Sequence, residues 1–131
     1  MNNRSKRGAF TLIELLVVVL ILAILTAVAL PLYLSSVKDS EKKTCQTNMQ
    51  TIANAVQAYK VRTRAAAYPT ISDVSTQVGS GNQLEDLNFA PKCPENDTNT
   101  YSVAPVNGGF QVYCTNAAHG KWENGKMFST R

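Results

Sequence analysis

A run of apolar residues dominates what this 131-residue chain can fold into. Between Phe10 and Leu34, 21 of 25 residues are hydrophobic, the exceptions being Thr11, Glu14, Thr26 and Pro31. As an α-helix rising 1.5 Å per residue such a segment reaches about 37 Å, enough to cross a hydrocarbon layer of about 30 Å with some tilt. A cleaved secretory signal has a shorter apolar core followed by a small-residue cut site. Here the run passes instead through Pro31-Leu32-Tyr33-Leu34 into a further helical pattern. Residues 35–131 are different in kind, with 35 hydrophobic residues in 97, or about 36%. The chain therefore divides into a membrane span and a small polar domain, too short for a multi-span transporter, a multidomain enzyme or a repeat array.

The formal charge of +4 (13 basic minus 9 acidic residues) invites a nucleic-acid or anionic-surface reading. Three of those cations, Arg4, Lys6 and Arg7, lie before the span with no acid among them. Positive charge flanking a first span holds that end in the cytoplasm, so the polar domain is expected outside. Lys60-Val61-Arg62-Thr63-Arg64 is a second basic cluster, and it reads as a solvated helix C-terminus favourable to the dipole. DNA is left as an open but unsupported partner.

Glu14 is costly where it stands, because an acid in a membrane helix costs roughly 2.5–3.5 kcal/mol at the bilayer centre and less near the interface. By itself it reads as a helix-start acid reaching the cytoplasmic headgroups, favoured by the helix dipole. Its neighbours add a second role. Arg7-Gly8-Ala9-Phe10-Thr11-Leu12-Ile13-Glu14-Leu15 closely resembles the processing signature of type IV pilins and pseudopilins: a basic leader, a small residue, then Phe-Thr-Leu-Ile-Glu opening a long apolar helix. The resemblance is tight over about residues 4 to 34. It implies cleavage by a prepilin peptidase, N-methylation of the new first residue, and polymerisation with copies of itself and other pilins on a membrane assembly platform. It also implies that Glu14 neutralises the terminal amine of a neighbour in the filament, and that Pro31, 17 residues further on, marks where the helix bends or melts during packing.

The signature departs from the family at the cut, where Ala9 stands between Gly8 and Phe10. Cleavage after Ala9 makes Phe10 the first residue and Glu14 the fifth, the family's arrangement. Cleavage after Gly8 makes Glu14 the sixth and rotates it by about 100° around the helix. We expect the first. The expected organisation is a leader over 1–9, a transmembrane and fibre-core helix over 10–34, and an extracytoplasmic head over 35–131.

Within the head, Cys45, Met49, Ile52, Val56 and Tyr59 recur at spacings of 4, 3, 4 and 3, an amphipathic stripe that should pack on a sheet. The spacing predicts a helix from Phe10 to about Arg64, interrupted at Pro31 and terminated before Tyr68-Pro69. Ser72-Asp73-Val74 can cap a short helical turn, and Gly79-Ser80-Gly81-Asn82 is a break. Residues 100–106 and 110–115 are β-prone around the turn Asn107-Gly108-Gly109, and 121–129 can add a further strand. The expected fold class is α+β: one long N-terminal helix, half membrane and half amphipathic, on a small antiparallel sheet, which resembles a pilin.

So small a core usually needs a staple, and three cysteines are candidates. A Cys93–Cys114 bridge would close a loop of about 20 residues and stabilise by about 3 kcal/mol, and it resembles the C-terminal cysteine pair of pilins. Cys45 reads as a buried thiol on the helix stripe or as a partner of either of the others, and the connectivity stays open. Cys45, Cys93, Cys114 and His119 also form a Cys3His set in type, without a Cys-x2-Cys or His-x3-His spacing. A lone histidine beside Gly120 reads as an exposed turn residue, so no metal is assigned, and zinc on these four residues is kept only as the alternative. Glu95-Asn96-Asp97-Thr98-Asn99 is oxygen-rich but lacks an EF-hand pattern and reads as a polar turn.

No nucleophile elbow, phosphate loop or HExxH occurs, and neither an enzyme nor a cofactor is expected. The expected function is a structural subunit of a type IV pilus or pilus-like filament, localised first in the cytoplasmic membrane and then in an extracellular or periplasmic filament. The alternatives are a pseudopilin of a secretion or competence machine and, in another class, a single-pass membrane-anchored binding protein.

Overall fold

The computed structural model describes residues 9–96, 98 and 100–128. The leader up to Gly8, Asp97, Asn99 and residues 129–131 lie outside that description. The chain is α+β, with one long N-terminal helix, α1 (Leu12–Thr63), and a four-stranded antiparallel sheet in the order β1-β2-β3-β4. It separates into two compact units, Met1–Val37 and Lys38–Arg131.

In the first unit every described residue from 9 to 36 is exposed. An 18-residue window of α1 is apolar enough to cross a membrane, and none of it is buried by the chain. A core helix of a soluble protein would have its apolar side covered, so this surface is suited to a solvent other than water. The expected interruption at Pro31 is not found, because the proline lies inside α1. A proline removes one hydrogen bond from a helix, whereas stopping and restarting requires a second nucleation, the unfavourable step of helix formation.

The second unit folds around the predicted stripe. Cys45, Met49, Ile52 and Val56 are fully buried, together with Ala53 and Ala55, while Tyr59 is half-buried at the margin. They share one core with Ile71, Val74, Leu84, Cys93, Tyr101, Val103, Phe110, Val112, Cys114 and Trp122. α1 ends at Thr63, within a residue of the expected end at about Arg64, because Arg64 adopts φ 51° in the left-handed region that stops a helix. Two of the three cations in this basic cluster have partners. Arg62 pairs with Glu85 at 3.2 Å and Asp86 at 2.9 Å, and the Lys60 ammonium lies 3.8 Å above the Tyr68 ring.

Asp73 caps the expected turn, a 3-10 turn at Val74–Gln77, and its carboxylate accepts from the Ser75 N–H at 2.8 Å. β1 (Tyr101–Val106) and β2 (Gly109–Cys114) pair through the two-residue turn Asn107-Gly108, whose φ values of 40° and 81° fit the primed turn that a hairpin needs. The single further strand expected over 121–129 is instead a second hairpin, β3 (Lys121–Glu123) and β4 (Lys126–Phe128). Its turn, Asn124-Gly125, has φ 46° and 88° and carries the same Asn-Gly signal. Alternation puts Val103, Val112 and Trp122 in register on the inner face. Trp122 stacks on Phe110 at 4.9 Å between ring centroids, and its Nε1–H donates to Gln50 of α1 at 2.7 Å.

Candidate functional site

Two constellations carry chemistry, one in each unit. The first is the start of α1. Thr11 precedes the helix, and its backbone N–H and its Oγ1 both donate to Glu14 Oε2 at 2.8 Å. The Glu14 N–H donates back to Thr11 Oγ1 at 3.3 Å. This is a capping box, in which a hydroxyl residue and an acid three positions later satisfy each other's backbone donors. The signal Thr-x-x-Glu was present in the sequence and was missed beside the membrane argument. Glu14 thus has a local role in every copy of the chain, starting the helix and holding a carboxylate at the edge of the apolar segment. Ala9 and Phe10 are exposed beside it, and Gly8, the alternative cleavage residue, lies outside the described residues.

The second constellation lies in the polar unit. Cys45 comes from the buried face of α1, Cys93 from the connection before β1, and Cys114 from the end of β2. His119 ends a 3-10 turn, Ala117–His119, whose N-cap Asn116 accepts from the Ala118 N–H at 3.0 Å and which Gly120 closes at φ 81°. The three sulfurs and a ring nitrogen of His119 all lie within 4.8 Å of one another, and all four residues are buried. The expected pair Cys93 and Cys114 is brought together, Cys45 joins them, and no disulfide joins the three. His119 is not the exposed turn residue expected. It is 5% exposed, because its turn folds the ring inward onto Cys93.

Hydrogen bonds surround this cluster. Cys93 Sγ is 3.5 Å from His119 Nδ1, and His119 Nε2 is 2.9 Å from Glu95 Oε2. The Asn116 amide also donates to Glu95. Tyr101 OH donates to Cys45 Sγ at 3.4 Å and accepts from Asn48 at 3.2 Å, while Asn48 donates to the Lys92 carbonyl at 2.9 Å. The Asn116 backbone N–H bonds the Cys114 sulfur. Burial pushes the Cys45 thiol up to about 12 and raises the Cys114 thiol and the Tyr101 hydroxyl as well. With nothing bound, these are neutral groups and poor nucleophiles, as thiols in apolar surroundings are. Glu95, read from sequence as part of a polar turn, is the residue whose role was least visible there.

Compared with protein families, the chain matches the model for the prokaryotic N-terminal methylation motif over residues 4–30. Comparison with curated proteins and with solved structures gives no match.

Proposed function

We propose, from the premise that residues 4–30 carry the methylation motif of type IV pilins and pseudopilins, that this chain is a structural subunit of a type IV pilus or pilus-like filament. The motif supports a pilin-type protein that a prepilin peptidase processes and that assembles with other pilins. Cleavage falls between Ala9 and Phe10, Phe10 becomes the N-methylated first residue, and residues 35–131 form the extracytoplasmic head. Loss of residues 1–9 removes Arg4, Lys6 and Arg7, leaving 10 basic and 9 acidic side chains, a formal +1. The excess charge belongs mainly to a disposable orientation signal.

One observation carries this reading: behind the processing motif, an apolar window of 18 residues has no covering surface in its own chain. Lipid covers it first, with the N-terminus cytoplasmic, and neighbouring copies cover it later. Cleavage leaves a cationic amine at Phe10 four residues from Glu14. In lipid either charge alone is expensive, and pairing across two copies removes both from it together. The attraction is strong only where stagger brings the charges into contact, so the pair selects one register. The Thr11 bonds to Glu14 Oε2 hold the carboxylate at the helix start, where it can meet a neighbour's amine.

Intact mass of the protein from its native membrane tests the reading. The expected result is loss of residues 1–9 and gain of one methyl group. Retention of the leader favours the single-pass binding protein, and an N-methylated Ala9 moves the cut to Gly8. Electron microscopy of sheared surface material then separates a pilus, which yields extended filaments, from a pseudopilus.

A further inference from the structure

We propose that Cys45, Cys93, Cys114 and His119 form a structural Zn2+ site that fastens α1 to the β1-β2 hairpin and to the connections before and after that hairpin. Among the described residues these four ligand atoms converge within 4.8 Å of one another, all in buried positions. An ideal tetrahedron built with Zn–S of about 2.3 Å and Zn–N of about 2.0–2.1 Å has S···N edges of about 3.5 Å and S···S edges of about 3.8 Å. Cys93 Sγ and His119 Nδ1 stand at 3.5 Å, already at the tetrahedral edge. The remaining separations, none above 4.8 Å, close by at most about 1.0 Å for a sulfur pair and about 1.3 Å for a sulfur and the ring nitrogen, within reach of side-chain rotation.

The surroundings are those of a metal site. A ligating imidazole characteristically donates its second N–H to a carboxylate, which fixes the tautomer and the ring plane. His119 does this: with Nδ1 toward the sulfurs, Nε2 faces Glu95 Oε2 at 2.9 Å. Two sulfurs receive hydrogen bonds suited to thiolates, from Tyr101 OH to Cys45 and from the Asn116 N–H to Cys114. A histidine that merely filled apolar space would have no reason to direct one nitrogen at a sulfur and the other at an acid. A single disulfide would use two of the sulfurs and leave a third beside the imidazole, whereas one tetrahedral ion uses all four groups.

Binding is balanced by proton release. Each thiol gives its proton to solvent, the neutral imidazole gives none, and Zn2+ with three thiolates carries one net negative charge. A set of three sulfurs and one nitrogen in tetrahedral array suits zinc over magnesium or calcium, which take oxygen ligands. All four ligands lie within Lys38–Arg131, so the proposal does not rest on the processing motif over residues 4–30.

Full-length protein extracted from its native membrane in mild detergent, without chelators, is the material for the test. Elemental analysis should find about one zinc per chain. Alkylation should leave the cysteines unmodified until the protein is unfolded with a chelator, after which all three react. Replacing zinc by Co2+ should produce the visible absorption of a tetrahedral thiolate site, and His119→Gln should change that spectrum. Cys114→Ser should abolish stoichiometric binding. Should that variant fail to fold, Glu95→Gln, whose side chain is half-exposed, keeps the test open: affinity should fall about 10–100-fold at unchanged stoichiometry. A metal-free chain lighter by the two hydrogens of a disulfide overturns the proposal. So does a chain with three thiols that takes up neither Zn2+ nor Co2+, or zinc whose affinity is the same in Cys114→Ser, His119→Gln and Glu95→Gln.

Discussion

Ile52→Ala tests whether the second half of α1 belongs to the core of the polar unit. Ile52 is fully buried in the cluster that includes Val112 and Trp122. The substitution removes three carbons, worth about 2.4 kcal/mol at about 0.8 kcal/mol each, and leaves a cavity that close-packed neighbours fill only partly. Buried Ile→Ala changes span about 2–5 kcal/mol, and we expect about 3 kcal/mol here. The unit Lys38–Arg131 has 94 residues (131 minus 37), and at about 0.05–0.15 kcal/mol per residue its stability is about 5–14 kcal/mol. A loss of that size therefore lowers Tm by about 12–24 °C. The assay is urea unfolding of the full-length chain in detergent micelles. It is followed by emission of Trp122, the single tryptophan, 2% exposed in the folded state and in direct reach of the event. Gln57→Ala, on the exposed face of the same helix, should change stability by less than about 0.5 kcal/mol. Val18→Ala in the exposed apolar segment should leave the Trp122 transition where it was. If Ile52→Ala behaves like Gln57→Ala, the stripe is not packed on the sheet and the reasoning fails.

Thr11 and Glu14 separate capping from assembly. Thr11→Ala removes the Oγ1 bond to the carboxylate and the acceptor of the Glu14 N–H, leaves the backbone N–H bond, and should still assemble into filaments, whereas Glu14→Gln and Glu14→Ala should insert in the membrane and assemble poorly, as scored by sheared-filament yield. Equal defects in all three would reduce Glu14 to a helix cap. Gly109→Ala should cost about 1–3 kcal/mol, because its Cβ would stand 1.7 Å from Asn124 Oδ1, the atom that accepts the Phe110 N–H. Chemical denaturation with Trp122 emission measures that loss. Arg62→Ala should cost about 0.2–1 kcal/mol at low ionic strength, since the pairs with Glu85 and Asp86 are largely exposed. The difference from wild type should vanish in about 1 M salt, where the Debye length is about 3 Å.

What was legible in the sequence was local or periodic. The uncovered apolar segment, the stripe from Cys45 to Val56, the Asp73 cap and the Asn107-Gly108 hairpin each follow from residues a few positions apart. Two local signals were present and passed over: the Thr11–Glu14 capping box, hidden behind the membrane cost of the acid, and Asn124-Gly125, which turns one expected strand into two. The end of α1 falls at Thr63, within a residue of the expected Arg64, and the stop itself is the left-handed conformation of Arg64, ahead of Tyr68-Pro69.

By itself the sequence determined that a 25-residue apolar run needs a solvent other than water, and that an amphipathic helix and hairpins supply a small α+β domain. Those conclusions need only chain geometry and the transfer of apolar surface. Tertiary structure alone decided that positions 45, 93, 114 and 119 share one buried cluster, and that Glu95 fixes the histidine at its edge. No spacing rule joins residues separated by 48, 21 and 5 positions. They meet because the core closes those loops, and hydrophobic burial offsets an entropy that no local pattern records.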